Sequence, residues 1–454
     1  MADINVFMVT DGTRFNFGPP QSDTLDDSYF GLTTLLGAMT DASNVPSISV
    51  YTAHRRRSAI IAAYPQTAAL INYPEDFLFT GTMGNPVNLA DYDVIWLVGD
   101  EGINVNGPST TDVPLTPDEL NAIATFMQAG GGVFAVGDHD GIGSYMCRHM
   151  MRVRTMRRWV FGGTTYGGNT YPSDAQADAT GQTLLTNWTS TGSAMNLPDR
   201  NDTLRHDAQD GLYYFNDQSD QTPQPVLAGG GTPPMGGGPL ANANLVHSVM
   251  RGAGGVVIAN FPDHMHEGEA TDFQTIMGDA PATPFNPNDG SNQPTKYSVP
   301  SGYVSKSSQV TGFTATTFDE FPMIDGFQPV PEVVAWGSDL GHATINVPPI
   351  PDVGVTNPKN RGIVSVYDGR PVGVGRIITG STFHHYLDKN LIGDPQTASA
   401  DPMTGPTGSD TAFLNSPDYL DPIKQFYLNA VAWLARRRGP IRTFISSPTR
   451  TCSA

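Results

Sequence analysis

The residues with the clearest chemical potential lie in the stretch VFAVGDHDGIG, which spans residues 133–143. Its first four residues are apolar and predict a buried strand, and Gly137 and Gly141 then flank an Asp-His-Asp triplet. Glycines at such a junction give the backbone the freedom for a tight strand-to-helix elbow. The elbow would lift a side chain above the carboxyl edge of the sheet, where open α/β sheets bind ligands. We therefore expect a functional role for Asp138 and His139, although His139 could instead be a polar residue of the turn.

Histidines and carboxylates recur just after the other predicted strands. Of the ten histidines, five occupy such positions: His139, His264, His266, His384 and His385. The acidic residues in equivalent places are Asp11, Asp100, Glu101, Asp138, Asp140, Asp263, Glu267 and Glu269. If the strands are parallel neighbours, these groups converge on one edge of the sheet.

A divalent-metal site is one use of that convergence. Imidazole and carboxylate are suitable ligands for zinc, iron or manganese. The ligands we expect for such a metal are His139, His264, His266 and Glu267. The charged segment 263–269 could alternatively be a solvated loop.

Metal-free acid–base catalysis is the other use. His139 would act as the general base, and Asp11, Asp138 and a histidine from the pair His384 and His385 would orient it or stabilise charge. Adjacent residues on a strand point to opposite faces, so we expect only one histidine of this pair to enter the site. Asp11 could instead cap the turn that follows its strand.

A group of arginines follows the elbow, since residues 147–158 hold five of them in an otherwise acidic chain. Arg148 and Arg152 are spaced one helical turn apart. Guanidinium groups could clamp a carboxylate or phosphate of a substrate, or could pair with the acidic excess of the protein itself. The substrate contacts that we expect at the edge of the sheet are Arg148, Arg154, Asp100 and Glu101.

An alternation of strands and helices must position these residues. Parallel strands are predicted at 4–10, 47–51, 93–98 and 133–136, and helices at 26–39, 58–71 and 116–129. The third helix has the clearest start, because Thr116, Pro117 and Glu119 supply a capping threonine, a proline at the first helical position and a capping-box glutamate. This order predicts an α/β fold with a doubly wound parallel sheet.

The later part of the chain differs in amino-acid composition. From about residue 162 to 330, Gly, Asn, Asp, Pro, Ser and Thr dominate, which predicts long loops covering the core or contacting a second subunit. Within this part, 255–261 predicts a buried strand. A hairpin is expected at 363–379, around Asp368-Gly369, and a final helix at 422–437.

The composition excludes several classes of partner. With 25 basic and 44 acidic residues, the net charge of −19 repels nucleic acid. The chain has two cysteines, too few for a disulfide framework, and no run of about 18 apolar residues that would predict a membrane span. We expect a cytoplasmic protein. No GxGxxG or Walker motif follows a strand, so we expect no nucleotide cofactor.

The elbow resembles that of the class I glutamine amidotransferase-like superfamily, whose glutaminases carry Gly-x-Cys-x-Gly. His139 stands in place of that cysteine, which argues against thiol-based glutamine hydrolysis. A histidine here is similar to the ThuA-like (trehalose-utilisation) branch. The stretches YDVIWLVG and LTPDELNAIATFMQAGGGVFAVGDHD agree with it, as do GVGRIITGSTFHHYLD and FYLNAVAWLA. The resemblance implies a flavodoxin-like sheet, a link to carbohydrate metabolism, and a site histidine at 384 or 385.

The resemblance also divides the chain. It covers an α/β core at 1–160 and 360–438, which leaves 161–359 as a loop-rich insertion with extra strands and 439–454 as a tail. Our leading hypothesis is a hydrolase or acid–base enzyme acting on a polar small molecule, plausibly a sugar derivative. The alternative is a non-catalytic binding or self-assembling protein, since the long insertion could build subunit contacts. In either case we expect a homo-oligomer.

Overall fold

The computed structural model describes residues 3–10, 15–18, 30–100, 115–138, 150–159, 165–166, 169–170, 224–229, 246–262, 268–270, 318–339, 359–382, 384–392, 400–401, 405–406 and 417–436.

An eight-stranded mixed sheet forms the centre of the fold. In chain order its strands are β1 (Ile4–Thr10), β2 (Ile48–His54), β3 (Val94–Asp100), β4 (Gly132–Asp138), β5 (Leu227–Ala228), β6 (Glu332–Asp339), β7 (Lys359–Tyr367) and β8 (Ile377–Gly380). The spatial order is β5-β6-β7-β8-β4-β3-β1-β2. Strands β2, β1, β3, β4 and β8 run parallel, whereas β7, β6 and β5 are joined antiparallel. The α/β class is confirmed, but the sheet is not purely parallel as predicted.

The helices are α1 (Thr33–Thr40), α2 (Arg57–Ala63), α3 (Pro117–Gln128), α4 (Val153–Met156), α5 (Asp388–Ile392) and α6 (Pro417–Leu434). Single 3-10 turns lie at Pro65–Leu70, Leu89–Asp91, Ser248–Met250, Ala253–Gly255, Arg370–Val372 and His384–Tyr386. Among the described residues, no helix combines the length and the apolar character needed to cross a membrane.

Short strand pairs complete the described secondary structure. They are Phe15–Asn16 with Phe30–Gly31, Arg157–Trp159 with Gly268–Ala270, Thr165–Tyr166 with Asn169–Thr170, Gln224–Pro225 with Asn260–Phe261, and Ala400–Asp401 with Gly405–Pro406.

Helices cover both faces of the sheet, because successive side chains of each buried strand point to opposite sides. On one face, Trp96 and Phe134 stack with ring centroids 3.8 Å apart, and they share a core with α1 and α6. On the other face, Ile95 and Val133 pack with α3. Strands buried on both sides account for the near-continuous apolar runs in the sequence.

Two predicted elements are shorter than expected because proline or glycine interrupts them. The helix predicted at 58–71 becomes α2 followed by a 3-10 turn that starts at Pro65, since proline has no N–H for the helical ladder. The strand predicted at 255–261 is wrong over most of its length. Gly254 and Gly255 have φ values of 68° and 81°. Val257 forms only an isolated bridge with Arg251, and Asn260–Phe261 pairs outside the main sheet.

The final helix begins before the predicted residue 422. Pro417 occupies its first position, and Pro422 lies inside the helix. The backbone bond that Pro422 cannot donate is offset by an apolar stripe, which includes Ile423, Phe426 and Val431 and is buried against the sheet.

The predicted hairpin around Asp368 is confirmed, and it sets β8 beside β4. Strands β7 and β8 pair antiparallel, and β8 pairs parallel with β4. Arg376 donates to both carboxylate oxygens of Asp368, at 2.8 and 2.7 Å, and to the carbonyl oxygen of Trp433 at 2.8 Å. Gly375 must remain glycine, because a Cβ there would overlap the carbonyl oxygen of Gly131.

Candidate functional site

The carboxyl ends of the five parallel strands β2, β1, β3, β4 and β8 lie side by side. Parallel strands were predicted from the sequence at the positions of β1 to β4. Asp100 at the end of β3 and Asp138 at the end of β4 are register partners. On the far side, Thr10 at the end of β1 is the register partner of His54 at the end of β2. Strand β8 ends at Gly380 on the other side of β4. This edge of the sheet is the candidate functional site.

His384 and His385 lie just beyond the end of β8, as expected, and they form part of a 3-10 turn. Both side chains are buried, so the expectation that they alternate between a site and the opposite face does not apply. Nδ1 of His384 is 3.4 Å from Oδ1 of Asn390. The ring of His385 meets that of Phe261 edge-on, with centroids 4.8 Å apart. The carbonyl oxygen of His385 accepts a 2.5 Å hydrogen bond from the Tyr427 hydroxyl, which fixes the turn against α6.

Asp388 joins this histidine turn to the start of α1. Its buried carboxylate accepts hydrogen bonds from the backbone N–H of Thr33 at 2.8 Å, the Thr33 hydroxyl at 2.5 Å and the backbone N–H of Thr34 at 2.7 Å. The first N–H groups of a helix have no partner within the helix. An acid from the far end of the chain therefore caps α1.

Replacing Asp388 by alanine should lower the free energy of unfolding by about 2 kcal/mol, since it leaves buried donors without an acceptor. Urea denaturation measures the change. The matched control is Asp421→Ala, which removes an exposed carboxylate from α6 and should have little effect. Equal losses in the two variants would show that the cap contributes nothing special.

Several predicted site residues lie outside the described residues. These are Asp11, Glu101, His139, Arg148, His264, His266 and Glu267. For Asp100, Asp138 and Arg154 the structure gives the backbone position. Within the described part of the chain, no group of three or more His, Cys, Asp or Glu residues is arranged to hold a metal ion.

The described residues on either side of 263–267 are nevertheless placed. On the amino-terminal side, Phe261 contacts His385. On the carboxyl-terminal side, Gly268–Ala270 pairs with Arg157–Trp159, the strand that follows α4. The carbonyl oxygen of Met156, in α4, accepts a 3.2 Å hydrogen bond from the hydroxyl of Thr379, in β8. The described residues on both sides of 263–267 therefore lie near β8, although Asn260–Phe261 pairs outside the main sheet.

Arg152 is tied to the protein itself. It is buried with φ of 66°, so it lies outside the short helix α4, and the predicted helical spacing from Arg148 does not hold. Its backbone N–H donates to Oε1 of Glu320 at 2.7 Å, and its Nε donates to the carbonyl oxygen of Glu320 at 2.8 Å. Of the two alternatives for the arginines, these contacts with Glu320 favour interaction of Arg152 with the protein itself.

His54 is a polar residue at this edge that the sequence analysis missed. Its Nδ1 is hydrogen-bonded with the Thr10 hydroxyl, and its ring stacks on Phe17 with centroids 4.5 Å apart. Burial, reinforced by the positive charge of Arg57, lowers the pKa of His54 to about 3. The imidazole is therefore neutral near pH 7. The predicted strand stops at Tyr51, and extending it to the level where β1 ends would have revealed His54.

Comparison of the chain with protein-family models, with curated proteins and with solved structures finds no match. The similarity to the amidotransferase-like superfamily therefore stays a prediction from sequence motifs. The residues at the edge of the sheet are therefore the basis of the functional proposal.

Proposed function

We propose that this protein is an enzyme that performs hydrolysis or acid–base chemistry on a polar small molecule, such as a sugar derivative. The observation that carries the proposal is the position of Asp138 at the carboxyl edge. It lies at the end of β4, between the end of β3, which carries Asp100, and the end of β8, which leads into His384 and His385. Carboxylates and imidazoles that meet at such an edge are the usual agents of proton transfer.

In this proposal His139 is the general base and Asp138 orients it, while a histidine of the 384–386 turn assists. Arg148, Arg154, Asp100 and Glu101 would contact the substrate, and Asp11, which follows β1 directly in the sequence, would assist catalysis.

The proposal includes a divalent metal ion at the same edge of the sheet. His139, His264, His266 and Glu267 would hold zinc, iron or manganese, which would activate water and polarise the scissile group. The described residues that flank this segment support the proposal, since Phe261 contacts His385 and Gly268–Ala270 pairs with Arg157–Trp159.

The strand order favours a flavodoxin-like core. Counted along the chain, the five parallel strands follow the order 2-1-3-4-5, which is that of flavodoxin-like sheets. This order supports an amidotransferase-like, ThuA-like assignment, and we extend the proposal to a cytoplasmic homo-oligomer.

The test combines elemental analysis with a hydrolysis screen on the full chain. Metal content is measured by plasma mass spectrometry, and activity on chromogenic glycosides and esters. His139→Ala and His264→Ala should both lose a near-stoichiometric metal, and His139→Ala should lose at least about 100-fold in hydrolysis rate.

The matched control is His247→Asn. His247 packs edge-on against Trp433, near the carboxyl-terminal end of α6. Asparagine keeps a side-chain acceptor for the backbone N–H of Val249, which caps the 248–250 turn. This variant should keep both metal and activity. Hydrolysis that survives in His139→Ala would overturn the proposed chemistry, whereas a folded protein without activity would favour a binding or self-assembling protein.

A further inference from the structure

We propose a second site at the ends of β1 and β2 that binds a small oxyanion, the carboxylate or phosphate group of a ligand, through Arg57, His54 and Asn16. The proposal goes beyond the function proposed above and does not depend on it. It rests on three side chains whose polar nitrogen atoms are buried and have no hydrogen-bond partner within the described part of the chain.

His54 offers the first of these nitrogen atoms. The residue is 0% exposed, and its Nδ1 is occupied by the hydroxyl of Thr10, while Nε2 has no partner among the described residues. A neutral imidazole carries one hydrogen. In the tautomer in which the Thr10 hydroxyl donates to Nδ1, that hydrogen resides on Nε2, which is then a donor for an oxygen ligand.

Arg57 supplies the positive charge. Its side chain is partly buried, its Nε is buried, and within the described part of the chain it makes no hydrogen bond or ion pair. Arg55, two residues earlier, differs from Arg57 because it forms a buried ion pair with Glu119. Arg57 follows His54 by three residues, at the start of α2, and its positive charge lowers the pKa of His54. A partly buried guanidinium without a counter-charge is a suitable partner for a bound anion.

Asn16 adds a neutral donor. Its Oδ1 accepts a 3.0 Å hydrogen bond from the backbone N–H of Gly18, which fixes the orientation of the amide and leaves Nδ2 as the group without a described partner. The next residue, Phe17, stacks on His54.

The position in the sheet agrees with ligand binding. The short strand Phe15–Asn16 lies against β3, and His54 and Thr10 end β2 and β1. The chain leaves β1 toward β2 on one side and resumes at β3 on the other. The strand order reverses between β1 and β3, which is where open α/β sheets form their ligand crevice, and Phe15–Asn16 and Thr10 lie beside that point.

Anion titration of the full-length protein tests the proposal. Sodium phosphate and sodium acetate are added separately, with sodium chloride at equal ionic strength as the reference, and binding is followed by calorimetry and by the thermal unfolding midpoint. Saturable binding of phosphate or acetate is expected, and the more strongly bound anion identifies the ligand group. Arg57→Gln should weaken that binding at least about 10-fold.

Two further variants make the result specific. Arg56→Gln removes the same charge from the adjacent residue and should bind the anion as the wild type does. Asn16→Asp keeps the acceptor for Gly18 but places a carboxylate where the donor was, so it should abolish binding. No saturable effect beyond chloride, or unchanged affinity in Arg57→Gln or Asn16→Asp, would overturn the proposal. The readout is binding alone, so a failure of the hydrolase proposal leaves this result interpretable.

Discussion

Replacing Glu119 by glutamine is expected to lower the free energy of unfolding by about 3–5 kcal/mol, because it leaves the buried charge of Arg55 without a partner. The two side chains are 0% and 1% exposed, and Nη1 of Arg55 lies 2.5 Å from Oε1 of Glu119. The same Oε1 accepts a 2.9 Å hydrogen bond from the backbone N–H of Phe79. Burial alone would raise the pKa of Glu119, but Arg55 and the backbone donors of Thr116 and Phe79 lower it overall.

Urea denaturation at neutral pH measures this loss. The matched control is Asp118→Asn, the same acid-to-amide change at the exposed neighbouring position of α3, which should cost less than about 1 kcal/mol. The double variant Arg55→Met with Glu119→Gln removes the buried charge and keeps a side-chain acceptor for the backbone N–H of Phe79, so it should be more stable than Glu119→Gln alone. A Glu119→Gln variant as stable as Asp118→Asn would show that the ion pair does not secure α3 to the end of β2.

Acidification is expected to destabilise the protein through His54, by about 2 kcal/mol between about pH 7 and about pH 5. The pKa of this imidazole falls from 6.5 to about 3 on folding. In the unfolded chain the group takes up a proton as the pH drops below 6.5, whereas in the folded protein it stays neutral until about 3. Its contribution to stability is therefore complete above the unfolded pKa and declines as the pH falls toward the folded pKa.

The comparison that isolates this effect is His54→Gln, which keeps a polar side chain that can bond to Thr10 and cannot be protonated. Urea denaturation curves are collected across the pH range for both proteins. The wild type should lose about 2 kcal/mol more than the variant over this interval. His247, whose pKa burial lowers to about 4, titrates similarly in both proteins and so cancels in the difference. Parallel curves would mean that His54 is protonated in the folded state.

Local sequence signals predicted α3 and its start. Thr116 and Glu119 form the capping box, with Thr116 Oγ1 accepting from the backbone of Glu119 and Glu119 accepting from that of Thr116. The second role of Glu119, as the partner of Arg55, could not be foreseen. The two residues meet only because β2 and α3 pack together, and no periodicity in the sequence encodes that distance.

Only part of the candidate site could likewise be predicted from the sequence. Polar residues after buried strands correctly marked the ends of β3 and β4, where Asp100 and Asp138 are neighbours in register. The turn that buries both His384 and His385 was missed, because the pair follows an apolar strand closely enough to be read as its continuation. His54 was missed because the predicted strand ended at Tyr51, whereas β2 continues through Thr52 and Ala53 to His54. The contact of Arg152 with Glu320 could not be foreseen, since the two residues are remote in the sequence.

The place of β8 in the chain also bears on synthesis. Strand β4 ends at Asp138, but its neighbour on one side, β8, begins only at Ile377. During translation the ribosome must deliver the whole intervening stretch while β4 exposes an apolar, hydrogen-bonding edge. Such an edge can pair with other chains, so the nascent protein faces a long period of aggregation risk. The order in which the strands appear thus leaves β4 without one neighbour until late in synthesis.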